Sequence, residues 1–339
     1  MAITGICLVL FVTFHVLMNS VALLWPAAYN QVCEFLGANW YALVASMGLA
    51  ALFIIHIIYA LWLTLQNRKA RGNDRYAIAG AAPGVEWSSK NMLVLGIVVI
   101  AFLVVHLIQF WAKMQLQELV SHELTALPTV EGAPASPAFG TLFLQLAFQN
   151  WWTPVIYIIG FVALWFHMNH GFWSMFHTIG WDSNIWLPRL KKISCWWTSI
   201  VIVLFIAQAV VFTIQANNKF FLKDPALVEQ YGEFWNDKAE ALIAEFNAEV
   251  SALNQTDPDE ATTFFAERGD YYADAAKAIV DAAAIQAPGY RKESLGQMAQ
   301  FGDFVRQRAE HSKGMKKAQL TPNEDLQPEQ QDVQTNVNE

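Results

Sequence analysis

The sequence predicts an all-α integral membrane protein: a five-helix bundle made of a four-helix core and a fifth span, with an extra C-terminal helical extension. Three observations predict it. A bilayer core takes about 20 apolar residues in a helix, and five stretches qualify, at roughly 2–25, 41–66, 91–113, 154–178 and 195–216. Hydrophobic residues are 55% of the 339 and charged residues only 15%, against about 25% charged in soluble globular chains. Trp25, Trp40, Trp87, Trp111, Trp151, Trp152, Trp196 and Trp197 fall at the predicted span ends, where an amphipathic indole prefers the headgroup zone.

The averages conceal two regions. Residues 1–217 hold 7 acidic and 9 Lys or Arg residues, and 13 of the 14 Trp, leaving Trp235 alone in the rest. The remaining 122 residues carry 22 acidic and 12 basic side chains. Two solvents are implied, with the membrane domain at 1–217, an acidic helical extension at 218–317 and a polar tail, expected to be disordered, at 318–339. The net charge of −8 argues against a nucleic-acid binder, and the apolar content against a disordered chain. Cys7, Cys33 and Cys195 are far apart, so they form no metal motif and no disulfide framework.

The first span begins at Met1 without the basic region and small-residue cleavage site of a signal peptide, so it reads as a retained helix. Its lack of a polar cap predicts a short basic leader missing from the start. The loop after the second span holds Arg68, Lys69, Arg71, Arg75 and Lys90, and the loop before the fifth holds Arg189, Lys191 and Lys192. The loops at 26–40 and 114–153 hold no Lys or Arg, with Lys113 at one edge. The positive-inside rule then puts the N-terminus in the cytoplasm and the acidic extension outside.

Each of the first four spans contains one deeply placed histidine: His15, His56, His106 and His167. Intramembrane ionisable groups are costly and are functional candidates by default. Helices rise about 1.5 Å per residue. Counted from the outer Trp of each span, His56 and His167 lie roughly 24 Å in, and His15 and His106 roughly 15 and 8 Å in. Two pairs at two levels are expected: His56 with His167 nearer the cytoplasm, His15 with His106 nearer the outside. Facing imidazoles, twice, fit bis-imidazole ligation of two stacked b haems. Gly160 and Gly171 flank His167 on its own face and could give a macrocycle room, or serve close helix packing. Unliganded polar histidines are the other reading. A non-haem metal lacks a carboxylate beside these rings.

The segments ITGICLVLFVTFHVLMN (3–19), LFIIHIIYALWLTLQNRKAR (52–71), VVHLIQFW (104–111) and FHMNHGFWSMFHTIGW (166–181) together resemble the di-haem, five-helix cytochrome b membrane anchor of the succinate dehydrogenase and fumarate reductase family. The fourth is the most specific, similar to that family's His-x-x-His-Gly signature and Gly-Trp exit. The resemblance covers about residues 2–217 and leaves the extension unexplained. It implies a subunit, not an enzyme alone, in a succinate:quinone oxidoreductase. Its partners would be a flavoprotein with FAD and an iron–sulfur protein on the cytoplasmic face, with a quinone, expected to be menaquinone, as substrate, in a bacterial inner membrane. A homodimer of the complex is a further expectation.

Within that reading His15 and His106 ligate the outer haem iron and His56 and His167 the inner one. Glu34, the one acid between spans one and two, is the candidate acceptor for quinol protons; a solvated loop acid is the ordinary alternative. His170 could replace His167, touch a propionate or quinone, or simply pack. Arg189 and Lys192 could pair with propionates, although topology alone explains them. His177 is expected near the cytoplasmic end, and His122 and His311 in solvent. In the extension, Asp224–Pro225 starts an amphipathic helix, a second helix is expected over 259–286 and a third over 294–311, with a break at Pro288–Gly289. The competing functions are a cytochrome b anchor of another quinone-linked dehydrogenase and a His-lined proton transporter or channel.

Overall fold

A computed structural model of the chain describes residues 1–71, 86–120, 124–181, 183–254 and 257–320. Among the described residues the fold is all-α apart from one hairpin of two-residue strands. Its helices are α1 (Ala2–Leu24), α2 (Pro26–Ala38), α3 (Trp40–Arg71), α4 (Trp87–Lys90), α5 (Met92–His106), α6 (Gln115–Val120), α7 (Gly140–Phe148), α8 (Trp152–Thr178), α9 (Trp186–Asn217), α10 (Pro225–Ala252), α11 (Pro258–Gln286) and α12 (Lys292–Leu320). Strands β1 (Thr129–Val130) and β2 (Ala133–Pro134) pair antiparallel. Among the described residues, five helices are long and apolar enough to cross a membrane: α1, α3, α5 with its continuation to Trp111, α8 and α9. Arg75 and Asp74 of the basic loop, and His122, lie outside the described residues.

Contiguous compact packing divides the chain into two units, residues 1–231 with 285–288, and 232–284 with 289 onward. In the first, α8 is the hub, packed against α1, α5 and α9. A few interhelical polar contacts tie α1, α8 and α9 together, as expected where lipid removes the hydrophobic drive between helices. Gln208 of α9 donates to the Val16 carbonyl and to Ser20 Oγ, both at 2.9 Å. The Trp165 indole donates to Ser199 Oγ at 3.0 Å. By contrast, the most apolar stretch of α3 has no buried residue, and α5 buries only Leu95.

The first unit is larger than the sequence implies. The loops at 26–40 and 114–153 contain α2, α6, the hairpin and α7. Pro26 at the first helical position starts α2 directly after Trp25, where its missing N–H costs nothing. The α7 sequence GTLFLQLAF is apolar on nearly all sides and is buried accordingly, with Leu142, Phe143 and Gln145 fully enclosed. Nine residues are too few to span a bilayer, so the run gives no membrane signal. Glu131 and Gly132, both with positive φ, make the tight turn of the hairpin.

The unit boundary falls after Tyr231, not at 217. Phe221, Leu222, Leu227 and Tyr231 are all buried and belong to the first unit. Tyr231 Oη meets Thr141 Oγ1 at 2.6 Å, Thr141 Oγ1 and its backbone N–H donate to Asn30 Oδ1 at 2.8 and 3.0 Å, and Asn30 Nδ2 donates to Gln230 Oε1 at 2.9 Å. This enclosed polar knot ties α2, α7 and the start of α10 together.

The second unit is built from α10, α11 and α12. Trp235, Phe246, Tyr272, Ile279, Met298 and Val305 form its core. A Cβ on Gly269 would lie 2.6 Å from Ala309 Cβ, so α11 and α12 approach closely there. Arg268 pairs with Glu249 at 2.9 Å and Glu245 at 3.3 Å. Gly289, with φ +86°, turns the chain between α11 and α12 in the left-handed conformation glycine tolerates. The third helix runs to Leu320, beyond the expected 311 and into the first residues of the tail taken as disordered; 321–339 lie outside the described residues.

Candidate functional site

The four span histidines meet as two pairs. The His15 and His106 rings are 5.6 Å apart between centroids and mutually perpendicular. The His56 and His167 rings are 6.3 Å apart at 64°. The levels follow from three helices that agree. On α1, Thr4 touches His56 and His15 lies eleven residues on. On α5, Gly96 faces His167 and His106 lies ten residues on. On α8, Tyr157 touches His106 and His167 lies ten residues on. At about 1.5 Å per residue the pairs sit roughly 15 Å apart along the bundle. The pair nearer Met1 is termed the lower pair, the other the upper.

Several observations test whether a haem suits these residues. A metal–imidazole bond of about 2 Å, with roughly 1 Å more from nitrogen to ring centre, puts two trans imidazole centroids about 6 Å apart; both pairs match. All four rings are half-buried although they face one another between helices, and the His-bearing α3 buries nothing in its apolar stretch. His167 Nδ1 is a buried polar atom without a hydrogen-bond partner. Among the described residues no three His, Cys, Asp or Glu gather. A donor set of two imidazoles suits axial ligation of a haem better than a tetrahedral or carboxylate-rich metal site. One contact works against ligation: Asn19 Nδ2 lies 3.1 Å from His15 Nε2, and ligation through that nitrogen requires it to open.

The surroundings of the two pairs differ. Phe11 stacks on His15 at 5.4 Å, Phe205 lies 6.1 Å from it, and Phe102 and Phe110 flank His106 at 6.1 and 5.3 Å. The upper pair therefore has an aromatic collar. Immediately after His106 the helix widens into a π turn, Leu107–Trp111, a feature frequent at functional sites. That turn carries Gln109, which accepts from Tyr157 Oη at 2.9 Å and donates to Thr153 Oγ1 at 3.3 Å. Beside the lower pair stand Gly96 and Thr4.

The other expected site residues are placed as follows. His167, and not His170, lies opposite His56. The His170 ring is 4.8 Å from Trp173 and its Nδ1 is 3.5 Å from Glu86 Oε2. Glu86 also accepts from Lys191 Nζ at 2.7 Å, and that ammonium sits 4.2 Å over the Trp173 ring. Burial would push the Glu86 carboxyl up, but the hydrogen bonds and charges of Lys191 and His170 outweigh it and hold it below the usual range. Arg189 and Lys192 are exposed, Arg189 lying against Trp186, so of the three basic residues Lys191 is the one drawn to the histidine-bearing helix. Glu34 is exposed on α2 and is not brought to the histidines; its neighbour Cys33 faces inward against Tyr29 and Gly140. His177 and His311 are exposed. Gly160 does not face space: a Cβ there would lie 2.4 Å from Phe102 Cγ, so its role is close packing of α5 on α8, whereas Gly171 has nothing within 4 Å.

Thr4, Asn19, Gln109, Tyr157 and Glu86 are site residues the sequence reading overlooked. A partial signal existed: Asn19 is one turn after His15 and Gln109 nearly one turn after His106, so each shares its histidine's face.

Together these features define a multi-pass helical bundle with two stacked imidazole pairs. No protein-family model, curated protein or solved structure matches the chain.

Proposed function

We propose that the chain is the di-haem cytochrome b membrane anchor of a succinate:quinone oxidoreductase, linking an iron–sulfur subunit to a quinone pool. The observation that carries this reading is the meeting of four histidines, one from each of four apolar helices, in two pairs at trans-imidazole separation. The resemblance of residues 2–217 to that anchor family supplies the identity of the complex. Haem b, when bound between these imidazoles, would supply one-electron transfer.

The chain's own residues do the remainder. His56 and His167 would hold the inner haem, and His15 and His106 the outer. The aromatic collar excludes water from the upper pair. Glu34, exposed on α2 at the far end from Met1, is within reach of a lipid-soluble quinol and accepts its protons. Arg189, Lys192 and the Lys191–Glu86 pair line the basic end, where propionates and the iron–sulfur partner would be met. In this reading Met1 is cytoplasmic, the acidic extension lies outside in a bacterial inner membrane, and dicarboxylate chemistry belongs to the flavoprotein partner.

A reduced-minus-oxidised spectrum of the purified chain, with haem quantification and identification of co-purifying subunits, tests the reading. Two haem b per chain, together with a flavoprotein and an iron–sulfur protein, are expected. Absence of a b-type band would leave a His-lined proton path as the better explanation. Hydrogenase or formate dehydrogenase subunits would assign the anchor to another complex.

A further inference from the structure

We infer that Tyr157 and Thr4 are positioning residues, each holding one histidine of a pair in the tautomer that presents Nε2 as a lone pair. The inference rests on the proposed haem ligation and deepens it. It follows from where each hydroxyl spends its single proton.

Tyr157 Oη donates to Gln109 Oε1 at 2.9 Å. The other end of that amide, Nε2, donates to the fully buried Thr153 Oγ1 at 3.3 Å. A phenol has one proton. Toward His106 Nδ1, 3.2 Å away, Tyr157 can therefore only accept, so Nδ1 carries the hydrogen. In a neutral imidazole the other nitrogen is then the lone pair. Tyr157 is 4% exposed, and water does not rearrange this chain.

The lower pair repeats the logic with different parts. Thr4 Oγ1 donates to the Met1 carbonyl at 3.0 Å and lies 3.1 Å from His56 Nδ1. Its proton is spent, so His56 Nδ1 is the donor and Nε2 the free base. Thr4 is 9% exposed. Thus each level has one imidazole set by a neighbouring helix: α8 sets a ring on α5, and α1 sets a ring on α3. Their partners are not set this way: His167 Nδ1 has no acceptor, and His15 Nε2 faces an amide donor, since Asn19 Oδ1 is occupied by the Tyr29 hydroxyl at 3.2 Å.

A hydrogen bond from Nδ1–H makes an imidazole more electron-rich and favours the oxidised iron. Removing the acceptor should raise the potential of one haem only, and weaken retention of that haem by roughly tenfold, the lower end of such outer-shell effects. Two isosteric variants of the full-length chain separate the sites. In potentiometric titration of the haem bands, Tyr157→Phe should raise one of the two potentials, and Thr4→Val the other. Nitrogen-15 NMR of histidine-labelled, haem-free chain reads the tautomer directly: His106 should be protonated at Nδ1 in the wild type and lose that preference in Tyr157→Phe, with His56 responding to Thr4→Val. Two haems with unchanged potentials in both variants would overturn the inference, as would both potentials moving together in either one. A wild-type chain that binds no haem would sink the proposed function, while the NMR measurement would still decide the tautomers. If one variant does not fold, the other decides at its own level.

Discussion

Gly160 and Gly171 lie on the same helix, both near His167, yet opposite outcomes are expected when each becomes alanine. A Cβ at Gly160 would lie 2.4, 2.6 and 2.8 Å from Phe102 Cγ, Cδ2 and Cβ. Carbon atoms pack at about 3.5–4.0 Å, so the overlap is about 1 Å against the root of a ring. Phe102 has little freedom to yield, being wedged against Tyr157 at 5.0 Å and Phe161 at 5.4 Å. Overpacking of this kind costs about 1–3 kcal/mol, and relief requires α5 to move off α8. That motion would lengthen the 3.2 Å contact between His106 and Tyr157. At Gly171 a Cβ meets nothing within 4 Å, and alanine in a helix interior is favoured over glycine by up to about 1 kcal/mol. Thermal unfolding of the two variants in the same detergent should therefore move in opposite directions, with Gly160→Ala lowered. Equal midpoints, or a stabilised Gly160→Ala, would show that α5 and α8 do not meet as described and would remove the geometric basis for the upper pair.

Three further outcomes are expected. Thr141→Val should cost about 1–3 kcal/mol in thermal or denaturant unfolding, because it removes the Thr141 hydroxyl from between the fully buried Tyr231 hydroxyl and Asn30 Oδ1; an unchanged midpoint would mean the polar knot is not closed. Burial pushes the Cys33 thiol up to about 12, against the lowering effect of its Tyr29 and Gly140 hydrogen bonds, so alkylation at pH 8 should be roughly a thousandfold slower than for an ordinary thiol, as read by peptide mass spectrometry, and become fast on unfolding. For Glu86 the folded-state carboxyl is held low by Lys191 and His170, so the stabilisation it brings is complete above the ordinary carboxylate range and fades as pH falls through its folded value. The thermal midpoints of wild type and Lys191→Met should differ at pH 6 and converge only once pH has fallen below the lowered Glu86 value; a constant gap would assign the effect of Lys191 to packing on Trp173.

What was legible in the sequence is what repeats along one chain segment. The five spans and the levels of the four histidines follow from hydropathy and the 1.5 Å rise, and the predicted levels bring His15 to His106 and His56 to His167; Trp196 and Trp197, expected at the edge of the fifth span, instead lie well inside α9. The periodicity of Leu227, Tyr231, Trp235, Leu242 and Phe246 likewise announces α10. The failures have a common cause. Gly160 and Gly171 look alike along α8, and only the rotation of α5 puts Phe102 over one of them. Arg189, Lys191 and Lys192 look alike as topology signals, and only the turn that carries Lys191 toward α4 joins it to Glu86. Thr4 is an ordinary residue of the first helical turn until α3 brings His56 beside it. Residues 140–148 carry no alternation, so their burial under α9 and the start of α10 has no local signature.

The same distinction bears on the chemistry. Ligand-bearing residues in a membrane helix are conspicuous because any ionisable group there is expensive. The residues that orient them are neutral hydroxyls and amides, cheap enough to occur anywhere in a span, and they act across helices. Tyr157 and Thr4 contact rings 51 and 52 residues away in sequence. A difference between two otherwise similar imidazole pairs is thus written in interhelical hydrogen bonds: an aromatic collar and a hydroxyl–amide chain around His106, a single threonine at His56, and no acceptor at His167. If the two pairs hold the same cofactor, those neighbours, more than the ligands, set how its two copies differ.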